Sequence, residues 1–173
     1  MDYRDMVELW GEDGLLYVPM DRIEHMRFDL ARLSPEAAIP AEVQPVFSAY
    51  IEGEVGLFNV LDVQIADRAP LALIALGAVP EQPMYYCLDG DTGAVVLLTL
   101  DEPADLETIN TTLSAFVEFL FHLQKLIHED EGRATRAAPA ARLRERLTLI
   151  DPHAFRDPES WWNAAFMQLE GRI

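Results

Sequence analysis

Hydrophobic residues recur along this chain with two different periods, and the change between them divides it into regions. Between Leu57 and Leu100, four apolar runs, "LFNVLDVQI", "LALIALGAV", "MYYCL" and "AVVLLTL", are separated by short segments rich in Asp, Gly and Pro. Runs of this kind predict strands, and connections this short predict hairpins, because a parallel crossover needs a dozen or more residues. Residues 57–100 are therefore expected to form an antiparallel β-meander. From residue 110 the period lengthens: Leu113, Phe116, Val117, Leu120, Leu123 and Ile127 recur at steps of three and four and lay one apolar stripe along a helix. Asn110, Thr111 and Thr112 are all N-cap types, and Gly132 is the expected stop. A second helix is predicted over "AARLRERLTLI" and a third over "DPESWWNAAFMQLEG". In the third, Asp157 is the expected cap, Pro158 the first helical residue, and Trp162, Ala165, Phe166 and Leu169 the apolar face before Gly171.

Upstream of the meander the pattern is less regular. "MDYRDMVELW" predicts a short helix ending at Gly11, followed by "GEDG" as a turn into the strand "LLYVP". Pro35, Pro40 and Pro45 then interrupt the chain, so helices before residue 57 are expected to be short. At 173 residues the chain is sized for a single domain spanning 1–173, with the meander at 57–100 and a helical part at 110–173.

Charge narrows the function classes. The chain carries 30 acids against 13 lysines and arginines, a formal net charge of −17, and the excess is uneven. Residues 1–60 hold 12 acids and 4 bases, residues 61–132 hold 13 and 2, and residues 133–173 hold 5 and 7. A field of this sign repels phosphate backbones, so direct nucleic-acid binding by the body is disfavoured, while encounter with a basic protein is accelerated. The longest apolar stretch, residues 70–80, is about half of the ~20 residues a bilayer crossing needs and reads as a buried strand. The acidic N-terminus does not resemble a signal peptide, and the single cysteine, Cys87, rules out an intrachain disulfide. Both fit a cytoplasmic protein.

Candidate chemistry is sparse. The loop "LDGDTG" places Asp89 and Asp91 between glycines, but it lacks the alternating oxygen ligands and closing glutamate of a calcium loop, and it leads into a strand without a phosphate-binding lysine. A hairpin turn accounts for it, with Gly90 and Gly93 supplying positive φ and Asp89, Asp91 and Thr92 bonding nearby amides. His25, His122, His128 and His153 show no metal-ligand spacing, no nucleophile elbow is present, and Cys87 falls inside a strand run. No cofactor, metal or catalytic residue is assigned. Nearby carboxylate pairs arise by chance in a chain with 30 acids and so point to no active site; a small hydrolase or transferase using scattered carboxylates is a competing hypothesis from another class. The candidate partner-binding residues are Asp101, Glu102, Asp105 and Glu107, four carboxylates in the acidic loop "DEPADLE", and Trp161. Adjacent helical residues point about 100° apart, so Trp161 and Trp162 cannot both sit at the centre of one buried stripe.

Three segments, "LDGDTGAVVLL", "NTTLSAFVEFL" and "IDPHAFRDPESWW", together resemble the SUKH superfamily, and most closely its fourth class of bacterial immunity proteins. The resemblance is best over residues 57–173 and weaker over 1–56. It implies an α+β domain with a curved antiparallel sheet flanked by helices. It also implies a non-enzymatic role, in which the protein binds and neutralises a cognate toxin, often one acting on nucleic acid. A toxin of that kind presents a basic surface that an acidic protein can cover. A chaperone-like or regulatory protein-binding module is the alternative.

Overall fold

The computed structural model describes residues 1–24 and 26–173; His25 lies outside the described residues. Five α-helices are present among them: α1 (Tyr3–Trp10), α2 (Met20–Ile23), α3 (Leu113–Glu129), α4 (Arg133–Ile150) and α5 (Trp161–Leu169). The nine strands are β1 (Leu15–Tyr17), β2 (Ala38–Pro40), β3 (Glu42–Val43), β4 (Phe47–Ser48), β5 (Val60–Val63), β6 (Leu71–Ala78), β7 (Met84–Asp89), β8 (Val95–Thr99) and β9 (Asp105–Asn110). β1 and β2 pair separately, and the other seven form one antiparallel sheet in the order β3-β4-β6-β7-β8-β9, with β5 also paired to β6. β5 and β4 share one edge of β6 end to end, β5 along Leu71–Ile74 and β4 at Ala78. The fold is α+β, with the expected antiparallel meander at its centre.

Strand alternation sorts the side chains onto two faces. Ile74, Leu76, Tyr86, Leu88, Val95, Leu97 and Ile109 join the main core with α1, α3 and α5, whose Met6, Phe116, Phe119, Leu120, Trp162 and Phe166 are fully buried. The opposite residues Leu73, Cys87, Val96 and Leu98 form a second cluster, closed by Ile65 from the β5–β6 loop. The helices thus lie against one face of the sheet.

Several boundaries differ from the sequence expectation. "DEPADLE" is a loop only as far as Ala104; Asp105 onward pairs with β8 as β9, so the meander has one more strand. Its polar sequence hid it, because β9 is an edge strand with Asp105 and Thr108 facing solvent. Thr112 caps α3, accepting from the Ala115 N–H at 3.0 Å, while Asn110 and Thr111 bond elsewhere. α3 ends at Glu129, before Gly132, whose φ of 124° then starts α4. α4 begins at Arg133, upstream of the expected Ala140, and runs through Pro139. α5 begins at Trp161 with Ser160 as its cap. Asp157 instead closes a turn, accepting from the Glu159 N–H at 2.9 Å. Before residue 57 the helices are short as expected, but the apolar steps between prolines also make β2, β3 and β4.

The "LDGDTG" segment is a hairpin between β7 and β8. Asp89 N–H donates to Ala94 O at 2.8 Å, Gly93 N–H to Asp89 O at 2.9 Å, and Asp91 N–H to Asp89 Oδ1 at 2.9 Å. Only Gly93 has positive φ, at 74°. Gly90 is needed for another reason: a Cβ there would stand 2.4 Å from Met26 Sδ and 2.9 Å from Ala72 O.

Candidate functional site

The antiparallel connections bring distant carboxylates to one end of the main sheet. The β6–β7 turn (residues 79–83) and the β8–β9 turn (residues 100–104) lie side by side, with Leu100 N–H reaching Pro83 O at 3.5 Å. The β3–β4 hairpin and the segment after it flank the first turn, since Ser48 pairs with Ala78 and Ala78 with Tyr85. This end carries Glu81, Asp101, Glu102 and Asp105 along the turns, with Glu42 and Glu52 beside them. Residues 42–56, 79–85 and 99–107 contain no lysine or arginine. The result is an acidic rim without internal counter-charge.

A cleft of about 640 Å³ opens into the rim between the β3–β4 hairpin and the β6–β7 turn, lined by Glu42, Glu52, Glu81, Tyr50, Tyr85 and Gln82 among others. Tyr50 is 69% exposed, which is unusual for an aromatic ring. Sequence reading missed this half of the rim. Its acids, Glu42, Glu52 and Glu81, stand singly along the sequence, and only the folded sheet gathers them. The signal for it in the sequence is the absence of lysine and arginine over residues 33–67.

The residues singled out from the sequence divide into two groups. Asp101, Glu102 and Asp105 are exposed at the rim. Glu107 and Trp161 are joined to each other: Glu107 Oε1 accepts from the Trp161 backbone N–H at 2.9 Å. Glu107 is half-buried on the helix-facing side of β9, and burial raises its carboxyl above the ordinary value of 4.5. Asp157 and Asp105 push the same way, and the Trp161 N–H opposes them. The Trp161 ring is partly buried and meets Tyr86 edge-on, with centroids 6.4 Å apart. Tyr86 in turn is held in the core, donating its hydroxyl to Val46 O at 2.7 Å.

A polar network ties β9 to the helical layer. Asp151, at the C-terminus of α4, accepts from Asn110 Nδ2 at 3.0 Å, Thr111 N–H at 2.8 Å and Thr111 Oγ1 at 3.2 Å. Asn110 Oδ1 then accepts from the Trp162 indole N–H at 2.9 Å. This ties β9, which begins at the rim residue Asp105, to α5.

Among the described residues no group of three or more histidines, cysteines or carboxylates is arranged to hold a metal, and no helix is long and apolar enough to cross a membrane. Cys87 is fully buried, and burial pushes its thiol up to about 12, far from a nucleophile's range.

The fold and this rim define a class: a small α+β domain that offers a recessed, acidic, aromatic-bearing surface at one end of its sheet. The sequence model of the SUKH-4 immunity protein family matches residues 1–168, and the chain belongs to that family. The match includes the proline-broken first third, where the resemblance from sequence motifs was weakest. An immunity role, with a cognate toxin as the partner, follows from membership. No curated protein and no solved structure matches the chain.

Proposed function

We propose that this protein is a non-enzymatic, cytoplasmic inhibitor of a toxin that attacks nucleic acid, and that it acts by covering a basic surface of that toxin. The observation that carries this reading is the acidic rim: Glu42, Glu52, Glu81, Asp101, Glu102 and Asp105 gathered at one end of the sheet with no base among their segments. A toxin acting on nucleic acid must present cations to phosphates, and the same cations are attracted to carboxylates presented in a concave surface. The Tyr50 and Tyr85 rings add faces on which a guanidinium can stack. Glu107 and Trp161 support the site from behind by fixing β9 to α5.

Co-expression with the toxin domain encoded beside it tests this reading. Growth should be restored, and the purified pair should form a complex whose association rate falls steeply between 0.05 and 0.5 M salt, as roughly expected when screening shortens from over 10 Å to a few Å. Higher yield of the neighbouring protein without protection would instead favour a chaperone-like module. Activity lost on changing one specific carboxylate would favour an enzyme.

A further inference from the structure

The charge of this chain is segregated, and its bases have their own concentration. α4 carries five arginines, Arg133, Arg136, Arg142, Arg144 and Arg146, against one acid, Glu145. Two of the five are engaged: Arg136 with Asp130 at 2.5 Å, and Arg144 with Glu170 at 3.6 Å. Arg142 and Arg146, one turn apart, face α3 across a groove of about 310 Å³ lined by His122, Lys125 and Glu129. Among the described residues, Lys125, Arg142 and Arg146 have no carboxylate within 4.0 Å. Lys125 lies over the Phe121 ring, 5.5 Å from its centroid, which holds the ammonium at the lip.

His122 forms part of the groove wall and is only 8% exposed. Its Nε2 makes no hydrogen bond, and the nearest carboxylate oxygen, on Glu118, stands 3.7 Å away. Burial lowers the affinity of the ring for a proton, and the positive charge of Arg146 lowers it further. Glu118 raises it and Lys125 lowers it more weakly. Lys125, Arg142 and Arg146 outnumber Glu129 in the groove lining, and Glu118 beside His122 is also faced by the Met1 ammonium at 3.9 Å, so the groove keeps a positive excess. A phosphoryl group carries about −1.5 to −2 charges near pH 7 and offers three acceptor oxygens, which suits that excess. Guanidinium forks suit such oxygens better than they suit a monovalent ion. The net charge of −17 does not prevent this, because at about 0.15 M salt fields from the far side of the molecule are screened beyond roughly 8 Å.

We propose that the α3–α4 groove is an anion site that takes a phosphate group, held by Arg142, Arg146 and Lys125 above the His122 ring. It is separate from the acidic rim and does not depend on the immunity reading. Orthophosphate and adenosine monophosphate are the probes, added to the full chain at constant ionic strength, with the imidazole signals of His122 and His153 followed by NMR across pH 5–8. Binding should raise the pH at which His122 titrates and leave His153 unmoved. A response to orthophosphate marks a free-anion site, and a response to the monophosphate alone marks one that takes phosphate as an ester. The Arg142→Gln, Arg146→Gln double variant should bind at least roughly tenfold more weakly, having lost two charge-assisted donors. Both arginines are exposed, and Lys125→Gln, also exposed, gives an independent second variant should the double one fold poorly. The proposal is overturned if sodium chloride at the same ionic strength moves His122 equally, if neither probe moves it, or if the variants bind as the wild type does.

Discussion

Glu107 Oε1 accepts the backbone N–H of Trp161 at 2.9 Å, so a side chain on the edge strand of the sheet caps the first turn of the C-terminal helix from 54 positions away. Ser160 caps the same turn from within the chain, with its Oγ 3.4 Å from Asn163 N. The first N–H groups of a helix have no partner inside it, and a carboxylate there satisfies one and meets the positive end of the helix dipole.

Replacing Glu107 separates the hydrogen bond from the charge. Glu107→Ala removes both and should cost about 1 kcal/mol, measured by urea unfolding. Glu107→Gln keeps an acceptor oxygen while removing a charge that burial disfavours, so at pH 7 it should be at least as stable as Glu107→Ala. The pH dependence has a definite sign. Because the folded-state carboxyl titrates above the ordinary value of 4.5, the folded chain binds this proton more tightly than the unfolded one. The wild type should therefore gain stability relative to Glu107→Gln as pH falls from 7 towards 5. A loss over that range would contradict the assignment.

Asp151 is 2% exposed and receives three donors from Asn110 and Thr111. Asp151→Ala would leave Asn110 Nδ2 unpaired in the interior, while the donors of the exposed Thr111 turn to water, at a cost of about 1–3 kcal/mol and a fall in Tm of roughly 5 °C. Trp162→Phe removes the indole donor to Asn110 and also leaves a void beside Phe116 and Phe119 where a fully buried bicyclic ring stood, so it should cost at least as much, about 2–4 kcal/mol. If the two sites form one network, the double variant will lose less than the sum of the singles.

These residues also show which parts of the structure are legible in the sequence. The stripe from Leu113 to Ile127 and the strands β6 to β8 are carried by local periodicity, and each forms where the pattern places it. β9 is not, because "DLETIN" owes its strand to pairing with β8 rather than to its own composition. The start of α5 shows the same limit. Asp157 followed by Pro158 is a good helix start by local rules, yet Ser160 and Glu107 together fix the first turn at Trp161. The rim is half visible, since Asp101, Glu102 and Asp105 adjoin in sequence, whereas Glu42, Glu52 and Glu81 meet only in the folded sheet.

Gly77 lies where β6 shifts register against β7 and packs against the β3–β4 hairpin. A Cβ at this position would stand 2.5 Å from Phe47 Cε2 and 2.7 Å from the Ser48 carbonyl oxygen. Phe47 is fully buried and cannot retreat, and backbone does not swing away. Gly77→Ala should destabilise by about 2–4 kcal/mol through overpacking. Gly14→Ala, where the nearest atom is Trp10 Cβ at 3.4 Å, should be close to neutral in the same unfolding assay.

Cys87 reports on opening of the sheet. Its thiol is fully buried in the second cluster and is pushed up to about 12, so almost no thiolate exists at pH 8 and no reagent reaches it. Labelling by a disulfide reagent should be negligible in the folded chain and complete in urea. Its slow rate in water should rise in Gly77→Ala in proportion to the unfolded or opened population. Rapid labelling of the folded wild type would show that the face opposite the helices is open.

The rim can be tested without disturbing the fold, because its acids are exposed and make no salt bridge among the described residues. Glu52→Lys with Glu81→Lys should leave Tm within a few degrees of the wild type. Against the cognate toxin the pair should lower the association rate by roughly tenfold or more at low salt, with a smaller effect at 0.5 M, since charges at an interface act mainly on encounter. Asp101→Lys with Glu102→Lys tests the half of the rim beyond the β6–β7 turn in the same way. Tyr50→Ala should act differently: it removes an exposed ring of the cleft, so it should speed dissociation and leave the salt dependence unchanged. If the charge reversals and Tyr50→Ala all leave both rate constants as they are, the toxin binds elsewhere on this domain.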